Sequence, residues 1–170
     1  NKMNIFYLHY VPAICASMHT DKHVVKMILE TTQLLFGTWH VVDPTHSLYE
    51  PKYRLSHKNH PCAIWARASV DNYTWLCELG LALCIEYTFR YGRRHKCESY
   101  LSELKKNIPP LDPLVGFTPL AQAMPIAYKN QSAIVAYRTY YDIDKVRLHR
   151  WKKRTPPKWI GSYRTVEKKV

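Results

Sequence analysis

Residues 70 to 91 constrain the fold more than any other stretch of this chain. Tyr73, Leu76, Cys77, Leu79, Leu83, Cys84 and Tyr87 recur at the three- and four-residue spacing of one helical face. Gly92 follows, the residue that most readily takes the left-handed conformation that ends a helix. A helix of that length reaches about 33 Å at about 1.5 Å per residue. An apolar stripe running its whole length has to be covered by other elements, and the rest of the sequence offers mainly helices to do it.

A short apolar opening, Met3 to Leu8, suits a strand or an extended segment laid on the core. Pro12 to about Met18 reads as a short helix. Thr20 or Asp21 can cap a longer one over 21–42, with Val24, Val25, Ile28, Leu29, Leu34 and Leu35 as its apolar positions and Gly37 weakening its end. The stretch 43–58 reads as loop. Asn59 or His60 caps a further helix with Pro61 in its first turn. Glu98 to Lys106 reads as helix, and 107–125 as a long loop holding five of the 11 prolines. Ser132 to about His149 returns to helix. The basic, proline-broken segment from about 151 to 170 is expected to be peripheral. The fold class expected is all-α: one domain over 1–170, a compact helical bundle with a short extended N-terminal segment. Its 170 residues are enough to bury a core without disulfide staples.

Charge separates the functional classes. Lys and Arg number 25 against 13 Asp and Glu, a formal net charge of +12. A field of that sign favours a polyanion, and the 13 Tyr and 5 Trp interleaved with the cations can stack bases while the cations pair phosphates. Neither GxxxxGK[ST] nor GxGxxG occurs, and Gly numbers only 5, which argues against a Gly-rich phosphate loop. No apolar run approaches the length of a membrane span, so no membrane partner is expected. The 5 Cys include no CxxC pair; Cys77 and Cys84 share a helical face as small buried hydrophobes. The odd count without a signal-peptide pattern suits a reducing compartment such as the cytoplasm.

Titratable residues cluster in short motifs. His19, His23, Lys26 and Glu30 follow a 4-3-4 pattern beside the first long apolar stripe, with Asp21 and Lys22 at the helix start. A solvated amphipathic face accounts for such a line. A functional account makes Glu30 a general acid or base among cations, with Lys22 or Lys26 as an amine nucleophile and Asp21 and His23 beside them. The run Ser56 to Pro61 places His57, Lys58, Asn59 and His60 at a helix start, either as a cap or as an anion grip. Arg90, Arg93, Arg94 and His95 cluster at the end of the 70–91 helix, where they suit its dipole or grip phosphate. Glu86 and Arg90 have the spacing of a surface-supporting ion pair. Lys129 and Arg138, set among tyrosines that include Tyr137, Tyr140 and Tyr141, suit a nucleic-acid backbone; core Tyr with outward Arg is the plain alternative. His19, His23, His57 and His60 can in principle ligate a metal, but the neighbouring lysines oppose a cation, and no metal or other cofactor is expected.

The segments MNIFYL, DKHVVKMILETTQLL, HKNHPCAIWARAS, EYTFRYG, QAMP and AYRTYY resemble a group of small, mostly uncharacterised proteins of phages and large DNA viruses. That resemblance runs over most of Met3 to Trp159 and implies a viral protein of the host cytoplasm. More distantly, the order of features is similar to the pyrimidine-dimer DNA glycosylases of the endonuclease V-like family: Met3-Asn4, Glu30 with Lys22 and Lys26, Asn59-His60-Pro61, then Glu86 to Gly92. That likeness implies a basic, all-helical repair enzyme that excises a base through an imine and then cleaves the strand without a metal. The family's nucleophile is the amine of a small residue exposed by Met removal. Asn4 after Met3 departs from that pattern, so Lys22 or Lys26 would take the role. Three functions therefore stand as expectations: a DNA glycosylase and AP lyase, an enzyme of free nucleotides, and a non-catalytic nucleic-acid-binding or host-interaction protein.

Overall fold

Helix α4 (Val70–Tyr91) is the central element of the computed structural model, which describes residues 3–48, 53 and 55–164. Around it stand α1 (Pro12–Ser17), α2 (Asp21–Val42), α3 (Pro61–Ala66) and α5 (Glu98–Lys106), all of which contact it. Helix α6 (Ala133–Ile143) follows a 3-10 turn at Ile126–Tyr128 and precedes another at Val146–Leu148. Among the described residues there is no strand, as the all-α expectation requires.

The ends of α4 are set locally. The Ser69 hydroxyl accepts from the Asn72 amide at 3.0 Å, and Gly92, with φ 73°, turns the chain out of the helix. Midway, the absence of a side chain at Gly80 lets two neighbours close in. A Cβ there would lie 2.8 Å from Leu101 Cδ2 on α5 and 3.1 Å from Thr31 Cγ2 on α2. The predicted stripe is buried throughout, Cys77 and Cys84 included, and all five cysteines are free and buried.

Residues 3–8 are buried but form neither helix nor strand, so side chains and one local turn satisfy part of their backbone. Arg138 donates to the Leu8 carbonyl at 2.9 Å, and Cys15 Sγ donates to that of Phe6. Asn4 Nδ2 donates to Ala123 O at 2.9 Å, while Asn4 Oδ1 accepts from Tyr137 Oη at 3.0 Å. The segment is thereby locked between α6 and the 118–125 loop. That loop is pinned in turn by Thr118, whose backbone and side chain bond Asn72 and whose carbonyl accepts from Trp65.

Three expectations change. Glu86 and Arg90 do not support a surface: they are 3% and 1% exposed. The Arg90 guanidinium reaches Glu86 at 2.8 Å, Asp21 at 3.0 Å and the Ser17 carbonyl at 3.0 Å, tying α1, α2 and α4 together. The C-terminal segment is not peripheral over 151–164. Trp151 donates to Met18 O, Arg154 grips both Glu86 oxygens at 2.9 Å, and Asp142 accepts from the Gly161 and Tyr163 amides. The last predicted helix is also shorter: it ends at Ile143 and tightens to a 3-10 turn instead of running to His149. Residues 1–2, 49–52, 54 and 165–170, which include parts of the predicted loop and tail, lie outside the described residues.

Candidate functional site

Thr20 starts α2 by accepting from the His23 amide, and the three- and four-residue steps of the helix then set which residues share a face. His23, Lys26, Met27 and Glu30 then fall on one wall of a cleft of about 760 Å³. The opposite walls come from distant parts of the chain: Met3-Asn4, His60-Pro61, the 122–125 loop with Lys129, and Tyr140, Asp144 and Lys145.

Glu30 is the unusual group. It is 8% exposed, and burial raises its pKa, while Lys26 and the Asn4 backbone amide pull the other way. Lys26 Nζ lies 3.5 Å from Oε2; Oε1 makes no hydrogen bond of good geometry among the described residues. Burial makes the charged form of this carboxylate costly to keep. Such a group at a cleft wall is suited to proton exchange with a bound molecule.

The histidines of the cleft are neutral donors or acceptors, not charges. His23 stacks on Phe6 with centroids 4.4 Å apart, its Nδ1 lies 2.8 Å from Tyr141 Oη, and burial brings its pKa down to about 3. His60 Nδ1 accepts from the Cys62 amide at 3.0 Å, which leaves the proton of the neutral ring on Nε2. Burial and His57 both lower the His60 pKa. Positive charge in the cleft therefore comes from Lys26, Lys129 and Lys145. Lys145 Nζ lies 3.6 Å from Asp144 and 4.8 Å from the centroid of the Tyr140 ring. The rim is stiffened by Gln122, whose side chain makes two hydrogen bonds with the Asn130 backbone, at 2.6 and 3.0 Å.

A second cavity of about 420 Å³ adjoins the first and shares Met3, Lys26 and Glu30 with it. Its other walls are Val25, Leu29 and Gln33 of α2, then His57, His95 and Lys96. The two imidazoles of the His57–His60 motif thus serve different cavities.

The remaining predicted residues stand elsewhere. His19 is fully buried, bonds Cys15 O at 2.8 Å, and has a pKa lowered by burial to about 4. Asp21 belongs to the Arg90 cluster and also accepts from the Lys152 amide. Lys22, Lys58 and Asn59 are exposed and off the walls of both cavities. Arg93 donates to Tyr87 Oη, and Arg94 pairs with Glu98. Arg138 is spent on Leu8 O and on the face of Trp159. Asp144 was absent from the sequence-derived site, Asn4 entered it only through the Met3-Asn4 of the family likeness, and Lys145 only as a cation following the Tyr- and Arg-bearing stretch. No local spacing links Asp144 to Asn4 or Glu30, so only packing brings the three together.

Among the described residues, no group of three or more His, Cys, Asp or Glu side chains is arranged to hold a metal ion. Among the same residues, no helix is long and apolar enough to cross a membrane. Comparison with protein families, with curated proteins and with solved structures finds no match to this chain.

Proposed function

We propose that the protein is an enzyme of nucleic acid: a metal-independent DNA glycosylase and AP lyase that removes a damaged or modified pyrimidine. The observation that carries this reading is Glu30, a buried carboxylate whose pKa is raised by burial and whose Oε2 lies 3.5 Å from the Lys26 amine. An amine nucleophile and a proton acceptor side by side are the two groups an imine mechanism needs. The likeness in feature order to the pyrimidine-dimer glycosylases supports the same chemistry.

In this scheme Lys26 passes a proton to Glu30 and its freed amine attacks C1′. The glycosidic C–N bond breaks, and its electron pair leaves with the base, which takes that proton from Glu30 and restores the carboxylate. The nitrogen now bound to C1′ loses a proton to O4′ as the ring opens, which leaves an iminium ion between Lys26 and C1′. Glu30 as carboxylate takes a C2′ proton, the C3′–O bond breaks, and the 3′ phosphate departs as the anion. Lys129, Lys145 and the Nε2–H of His60 hold phosphate oxygens while this happens. A binding protein without catalysis accounts equally for the +12 charge. It leaves a buried carboxylate without a task in a basic cleft.

Glu30→Gln tests the assignment. Its affinity for a duplex with an abasic site is expected to stay within about threefold, with strand cleavage down by about 100-fold or more, the usual scale for a lost general base. Cleavage at the wild-type rate would remove Glu30 from the chemistry.

A further inference from the structure

The second cavity gives the proposed enzyme more binding surface than a single nucleotide uses. We propose that it is the subsite for the neighbouring nucleotide, so that the substrate is a polynucleotide strand and not a free nucleotide. This inference rests on the nucleic-acid reading above and narrows its substrate.

Three observations support it. The first is continuity: Met3, Lys26 and Glu30 form the common wall of both cavities, so one chain can cross from one to the other past the reacting groups. The second is an apolar floor. Val25 and Leu29, one turn apart on α2, belong by spacing to the core stripe of that helix, yet they are 41% and 38% exposed. They offer an aliphatic surface to a base or sugar. The third is a rim of donors from three parts of the chain. Lys26 and Lys96 bring charge, while His57 and His95 bring imidazoles. His95 Nδ1 accepts from the Cys97 amide at 3.0 Å, which leaves an Nε2–H to donate, the same arrangement as at His60. An apolar floor with a cationic, donor-rich rim matches the base-and-phosphate repeat of a nucleic-acid strand. A single nucleotide occupying the 760 Å³ cleft would leave this whole surface unused.

The test is a length series. Thymidine 5′-monophosphate, the trinucleotide and the hexanucleotide are titrated into wild-type protein, into Lys96→Ala, and into Leu29→Glu, which sets a carboxylate on the floor. Both substituted side chains are exposed, and circular dichroism checks that each variant folds. Wild-type affinity is expected to rise at least tenfold from the mononucleotide to the trinucleotide. Lys96→Ala should lose most of that gain and flatten the salt dependence of trinucleotide binding by about 0.7 in log–log slope. Leu29→Glu should lose the gain altogether. Equal affinity for one and three nucleotides, with both variants unchanged, overturns this subsite and leaves the glycosylase proposal standing. Binding by the wild type of neither these oligonucleotides nor the duplex with an abasic site overturns both.

Discussion

Acid should destabilise this protein well above the pH at which carboxylates titrate. His19 and His23 are buried, and burial is the main cause that lowers their pKa values to about 4 and about 3. In the unfolded chain both titrate near about 6.5. Between those values the unfolded state binds more protons than the folded one, so stability is fully present above about pH 6.5 and is lost as pH falls toward the folded values. At pH 5.5 each unfolded imidazole is about nine-tenths protonated while its folded counterpart is neutral. Linkage then gives a loss of roughly 1 kcal/mol for each, and roughly 2 to 3 kcal/mol for the pair, relative to pH 7.5. His60 and His95, also lowered by burial, act with the same sign. The assay is urea unfolding followed by tryptophan fluorescence at pH 7.5, 6.5 and 5.5. With an m-value of about 2 kcal/mol per molar, the midpoint should fall by about 1 M. His19→Gln can still donate to the Cys15 carbonyl and should remove about half of the pH slope, whatever it does to stability at pH 7.5. A midpoint that stays constant from pH 7.5 to 5.5, or a slope unchanged in His19→Gln, would refute the argument that these imidazoles are held neutral.

Arg90→Met should cost about 3 to 5 kcal/mol in the same urea assay, because it leaves the Glu86 and Asp21 carboxylates without their shared partner inside the protein. Arg93→Met, at an exposed cation, should cost under about 1 kcal/mol. Parity of the two would contradict the structural role given to Arg90. Ending the chain at Arg150 removes Trp151, Arg154 and the buried Trp159. It is expected to lower the thermal midpoint by more than about 5 °C, and a midpoint equal to that of the full chain would restore the peripheral tail expected from sequence.

Most of the helical frame was legible because its signals are local. The stripe of α4 and the Gly92 that follows it are local signals, and its observed bounds match the predicted ones. The site was legible only in part, and helix geometry explains the division. His23, Lys26 and Glu30 are inside α2, where four- and three-residue steps keep one face. His19 precedes the Thr20 cap, so helical spacing does not apply to it, and it turns into the core. Asp21 is nine residues from Glu30, about 180° around the helix at 100° per residue, and so it meets Arg90 instead of the cleft. Arg90 looked like an exposed helix-end cation because its spacing to Glu86 is the usual surface one. It is buried because α1, α2 and the returning segment around Arg154 all converge on that end of α4. Asn4, Asp144 and Lys145 reach the cleft only through tertiary packing, which no periodicity encodes.

Borohydride trapping tests the central claim most directly. The protein is incubated with labelled duplex DNA carrying an abasic site, or an ultraviolet lesion, and the mixture is reduced. The account predicts a covalent protein–DNA band whose peptide map places the bond at Lys26, absent in Lys26→Met and still formed by Lys22→Met. No band, with tight and salt-sensitive binding retained, would contradict the imine mechanism and leave a protein that holds nucleic acid without cutting it.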